Sequence, residues 1–151
     1  MTDAEPSCTG MTVDELHEHT EDALRNLGGL CRDEELAVAK QLVTCLRNVR
    51  EYELMGRLAE AVSRRDPKDP TNRRRYAQYL IETGMATVAV DLLRPLVRRL
   101  PKTHPEFADT TGLLGRAYKQ IFYDAGDKTN PGARQALKAA ITAYRRPFEE
   151  N

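Results

Sequence analysis

Apolar residues recur three and four positions apart along most of this chain, the spacing that gathers them on one side of a helix. The first stripe is Leu16, Ala23, Leu24 and Leu27. Thr12 and Glu15 precede it at capping-box spacing, and Gly28-Gly29 stops it. The second stripe runs through Leu36, Ala39, Leu42, Val43 and Leu46, and a partner follows through Leu54, Leu58, Ala59 and Val62 to Asp66-Pro67. Asp69-Pro70 opens the next helix, a capping residue followed by the residue best tolerated in the first turn. Tyr76, Ala77, Tyr79, Leu80 and Ile81 form its buried side, and Gly84 stands where a tight turn needs positive φ. Val88, Ala89, Leu92, Leu93 and Leu96 continue the pair, with Pro95 inside the helix and expected to kink it. A last pair spans about Pro105 to Ala125 and Pro131 to the end, the latter again opened by a cap and proline, Asn130-Pro131. No segment alternates long enough to be a strand. The pattern predicts seven helices, a mobile tail over residues 1–10 and a single domain over 11–151.

The chain also matches itself at an offset of 34 residues. Leu42, Val43, Leu46, Leu58, Val62, Arg65 and Pro67 recur without a gap as Tyr76, Ala77, Leu80, Leu92, Leu96, Arg99 and Pro101. That period and its pattern resemble the tetratricopeptide (TPR) repeat, a helix–turn–helix unit that is stable only when stacked on neighbours. In the middle repeat Tyr76 and Ala77 fall at the large-then-small pair, Leu80 at the next large site and Gly84 at the turn, while Ala89, Leu93, Leu96 and Pro101 fall at the second-helix sites. Arg73 departs where the family favours Trp. The first repeat departs twice, with Arg50 for the turn glycine and Met55 for the small alanine. The third repeat begins with LLGRAYKQ, which puts Leu114, Gly115 and Tyr118 on large, small and large sites; Ala140 and Tyr144 fit its second helix. Extra residues between the two lengthen the first helix through IFYDA and form the loop GDKTNPG. This third unit looks like the TRAF-binding helical region of apoptosis-signalling MAP kinase kinase kinases, and like bacterial TPR modules that precede effector domains. The resemblance, over residues 36–150, implies an all-α fold: a right-handed α-solenoid of about three TPR-like helix pairs preceded by an N-terminal helix. The function it implies is a protein-binding scaffold or regulatory module.

Composition narrows this little but shows where charge lies. The 151 residues are 40% hydrophobic and 30% charged, with zero net charge and mean hydropathy −0.60. No apolar run approaches a membrane span, and the amino terminus lacks the layout of a signal peptide, so a cytoplasmic protein is expected. Residues 1–35 hold ten acids against two arginines, whereas residues 36–105 hold fourteen bases against seven acids. This asymmetry fits an internal contact, a groove for an acidic partner, or two solvated faces. Cys8, Cys31 and Cys45, odd in number and scattered, suggest no disulfide framework, and Cys45 reads as a small core residue.

Catalytic and cofactor motifs are missing. His17 and His19, two apart, point away from each other on a helix, and no zinc spacing, phosphate-cradling loop or nucleophile elbow occurs. No enzyme activity, cofactor or metal is expected. Arg64-Arg65, Arg73-Arg74-Arg75 and Arg98-Arg99 raise a nucleic-acid alternative, countered by divergence of adjacent residues around a helix. The TPR resemblance places ligands on the surface formed by the first helix of each pair. Its outward sites map to Lys40, Thr44, Arg47 and Asn48, then Arg74, Gln78, Ile81 and Glu82, then Arg116, Lys119 and Gln120. Five of these are basic and one acidic, so an acidic peptide is the expected ligand, with the acidic segment 12–35 as a resident competitor. Ile141, Tyr144 and Phe148 share one face of the final helix, which is expected to be covered by self-association or by further sequence of the native protein, or to fold inward onto the preceding helix.

Overall fold

A computed structural model describes residues 8–149. Among them are seven α-helices, one short 3-10 turn and no strand: α1 Val13–Gly28, α2 Asp33–Asn48, α3 Tyr52–Arg65, α4 Pro70–Glu82, α5 Ala86–Arg99, α6 Phe107–Asp124 and α7 Pro131–Arg145. The expected tail falls mostly outside these residues; Cys8–Gly10 are the part described. The structure divides into two compact units, at Tyr79–Leu80. The boundary crosses α4.

Unit 1 holds α1, α2, α3 and most of α4. The expected capping box forms at Thr12: Glu15 N–H donates to the threonine hydroxyl at 3.2 Å, and Thr12 N–H donates to the Glu15 carboxylate at 2.8 Å. These bonds, first the one from the Thr12 backbone, hold the Glu15 carboxyl below its ordinary pKa. Leu16, Ala23 and Leu27 of α1 enter a core with Ala39, Leu42, Val43 and Leu46 of α2 and Leu58, Ala59 and Val62 of α3. Leu24 and Leu36 of the predicted stripes are only partly buried and pack against this core.

Three features of unit 1 depart from the sequence reading. Cys45 is buried as expected, but it is bonded to Cys8, Cα to Cα 6.0 Å across 37 residues. Chain folding, invisible in spacing, brings the two together, and only Cys31 is free among the described residues. Arg65, read as a solvated helix end, donates to the Leu27 carbonyl from Nε (2.9 Å) and Nη2 (2.6 Å), closing the C-terminus of α1. The small site of the first repeat lies at Gly56 rather than Met55. Gly56 is buried beneath the Tyr79 ring, and a Cβ there would fall inside that ring.

Unit 2 holds the end of α4 with α5, α6 and α7. Gly84 adopts φ +83°, the turn conformation expected of it. Helix α5 runs through Pro95 to Arg99, and its buried residues include Ala89, Leu93 and Leu96. Helix α6 extends to Asp124, as the IFYDA lengthening requires. The loop that follows is ordered by Asp127, which accepts from Thr129 Oγ1 at 2.6 Å and N–H at 2.9 Å, depressing its pKa. Asn130 then caps α7 by accepting from Gly132 N–H at 2.8 Å, with Pro131 in the first turn. Gly115 is the small site, with the Tyr144 ring 3.0 Å from where its Cβ would stand. The last helix ends at Arg145, short of the chain end it was expected to reach, and Phe148 lies in the 3-10 turn Arg146–Phe148. It is 86% exposed, while Ile141 and Tyr144 are 45% and 42% exposed. Tyr144 thus folds partly inward, over Gly115, and Phe148 does not.

Candidate peptide-binding surface

Lys40, Thr44, Arg47 and Asn48 lie four, three and one residues apart, so they share one side of α2. The structure gives them different tasks. Lys40 is half-buried, and its ammonium lies 2.7 Å from Asp66 Oδ2 and 2.8 Å from Asp69 Oδ2. Asp66 follows the last turn of α3. Asp69 opens α4, accepting from the N–H groups of Thr71 (3.0 Å) and Asn72 (3.3 Å). Lys40 therefore ties α2 to the α3–α4 turn, and a ligand carboxylate would have to displace two resident ones. Burial alone would lower the lysine's pKa, but its hydrogen bonds to Asp66 and Asp69 outweigh that and leave it raised. Burial likewise opposes ionisation of Asp69, and the same bond with Lys40, helped by Asn72, leaves its pKa lowered.

Arg47 and Asn48 are exposed, and Arg47 has no ion pair among the described residues. Thr44 and Asn48 line a cavity of about 420 Å³ in unit 1, bordered by Leu16 of α1 and by Cys8 and Thr9. The disulfide to Cys45 thus brings the N-terminal segment beside this row. The acidic stretch 12–35 forms α1 and the start of α2, and its ion pairs to other parts of unit 1 are Glu21 with Arg57 of α3 at 3.0 Å and His17 with Glu51 at 3.3 Å. That is an internal contact, one of the readings the charge asymmetry allowed.

Arg74 and Gln78 follow one turn apart on α4, both half-exposed. Arg75 is buried, at 8% exposure, so the arginine triplet does not present a basic stripe. Ile81, mapped outward by the repeat pattern, is buried at 5% exposure and leaves the candidate set. In unit 2, Arg116 and Lys119 are exposed on α6. Arg116 pairs with Glu82 at 2.8 Å, and the Lys119 ammonium sits 5.6 Å from the centre of the Tyr123 ring. Gln120 is half-exposed and donates to Asp124 at 2.8 Å. Acidic Glu82, itself one of the mapped outward sites, therefore offsets the charge of Arg116.

Sequence reasoning missed a larger cavity in unit 1, about 510 Å³ between α1 and α2, bordered by Cys8, Met11, Ala23, Val38, Leu42 and Cys45 among others. Half-exposed Val38 was the signal, an apolar residue outside the stripe of α2. No group of metal-ligating side chains occurs among the described residues. No helix among them is long and apolar enough to cross a membrane.

Paired helices with a small residue beneath an aromatic ring, in Gly56–Tyr79 and again in Gly115–Tyr144, define a TPR-like helical-repeat protein. The family model described as Tetratricopeptide Repeats-Sensor matches residues 51–151, and the chain belongs to that family. No curated protein and no solved structure matches the chain.

Proposed function

We propose that this chain is a non-catalytic regulatory module that binds an acidic peptide segment of a partner or of an attached effector. Repeats of the TPR type mediate protein–protein interaction, and the family's description as a sensor supports a regulatory use of that binding. The observation that carries the acidic preference is the α2–α4 surface of unit 1. Arg47 with Asn48, and Arg74 with Gln78, stand on the sides the repeat pattern assigns to ligand.

A salt titration separates a peptide from a nucleic acid. An acidic peptide should bind saturably at low ionic strength and weaken as the screening length falls to about 8 Å near physiological salt. Duplex or single-stranded nucleic acid of equal charge should bind more weakly throughout, because Arg75 is buried and the arginine triplet makes no continuous stripe for phosphates. Tighter binding of the nucleic acid, with a slope set by several released counterions, would replace this reading with the nucleic-acid alternative.

A further inference from the structure

Unit 2 carries a second feature that the peptide reading leaves unused. A cleft of about 230 Å³ opens between α5, α6 and α7, and three arginines line it: Arg94 and Arg98 on α5, and Arg146 just after α7. None of the three has an ion pair among the described residues, and no acidic side chain lines the cleft. Arg94 and Arg98 are one turn apart, so their like charges face the same side and repel. The other polar side chains there are Thr111, Thr142 and Tyr118. Both threonine hydroxyls already donate within their own helices, Thr111 to the Phe107 carbonyl at 2.6 Å and Thr142 to that of Lys138 at 3.1 Å. The guanidinium groups and the Tyr118 hydroxyl are then the donors left to a guest. Apolar residues make up the rest of the wall, with Arg94 and Arg98 solvent-exposed and Arg146 half-exposed.

We infer that this cleft is a binding site for a phosphoryl group, carried either by a small molecule or by a phosphorylated side chain. Guanidinium forks match tetrahedral oxyanions in geometry and charge, and two from α5 facing a third from the segment after α7 can engage a dianion from two sides. The volume suits the group with a few waters, at about 30 Å³ per water. The inference does not depend on the peptide surface, because the two share no residue.

The full chain should be titrated with inorganic phosphate at constant ionic strength while backbone amides are followed by NMR. Saturable shifts are expected near residues 94–98 and 142–146. Arg94→Gln and Arg98→Gln should each weaken binding about tenfold, the scale of a lost charge-assisted hydrogen bond. Lys138→Gln, on α7 outside the cleft, should leave it unchanged. A phosphoserine peptide that displaces phosphate from the same amides with higher affinity assigns the group to a modified partner. Saturation by phosphate with no gain from that peptide assigns it to a small molecule. Shifts that never saturate, that acetate reproduces at equal concentration, or that Lys138→Gln weakens as much as the cleft variants would overturn the inference.

Discussion

Arg50 and Gly56 show how far a repeat pattern reaches at the level of single residues. The pattern marks position 50 as a turn needing glycine, and the chain adopts the left-handed conformation there with an arginine, at φ +62°. Relief of that strain should outweigh the greater freedom of glycine in the unfolded chain, so Arg50→Gly is expected to stabilise the protein by about 0.5–1 kcal/mol. A rise of about 1–4 °C in thermal midpoint would register it. At Gly56 the pattern was off by one residue. Periodicity locates a small site only through its neighbours, whereas the Tyr79 ring that fills it comes from another helix. Gly56→Ala should cost about 1–3 kcal/mol through overpacking, read from denaturant melts. If Gly56→Ala melts like the native chain, Tyr79 does not occupy that site as described.

At the level of elements, helix starts and most stops were legible because they rest on local chemistry. Thr12 with Glu15, Asp69 with Pro70 and Asn130 with Pro131 each meet backbone donors a few residues away. What the sequence concealed were ties between elements distant along the chain: Cys8 to Cys45, Arg65 to Leu27, and Lys40 to Asp66 and Asp69. Their residue types fit solvent exposure as well as structure, so only folding reveals them. Asp69 joins both kinds, capping α4 while holding Lys40. Loss of the cap costs about 1 kcal/mol and loss of the partly exposed ion pair between 0 and 1, so Asp69→Ala should destabilise by about 1–2 kcal/mol. The pH dependence follows from the two shifts. Asp69, lowered from 3.8, contributes above about pH 4 and loses its contribution as pH falls through its folded value. Lys40, raised from 10.5, contributes below about that pH and loses its share as pH rises beyond. The penalty of Asp69→Ala should thus be constant from about pH 5 to 9 and shrink below pH 4. A penalty that grows on acidification would contradict this.

Across the whole molecule, the helix count and the family were legible, because each stripe and cap repeats the same local rule. The ligand surface was legible only in part. Outward positions follow from periodicity, but their availability depends on partners that periodicity does not show. Lys40 is held by two carboxylates, Arg116 by Glu82, and Ile81 is buried, while Arg47 remains exposed. The cleft arginines were visible as charges but not as neighbours, because Arg146 reaches Arg94 and Arg98 only through the packing of α5, α6 and α7.

The central claim is that the α2 and α4 surface of unit 1 recognises an acidic segment, and charge reversal tests it most directly. The native chain and the Arg47→Glu/Arg74→Glu double variant should be titrated against one labelled acidic peptide at low salt, read by fluorescence anisotropy. Circular dichroism should confirm that the variant keeps its helices. Replacing two attractions with two repulsions should weaken binding by about thirtyfold, about 2 kcal/mol, the middle of four contributions of about 0–1 kcal/mol each. Equal affinity of the two folded chains would place the ligand on another face and contradict the account.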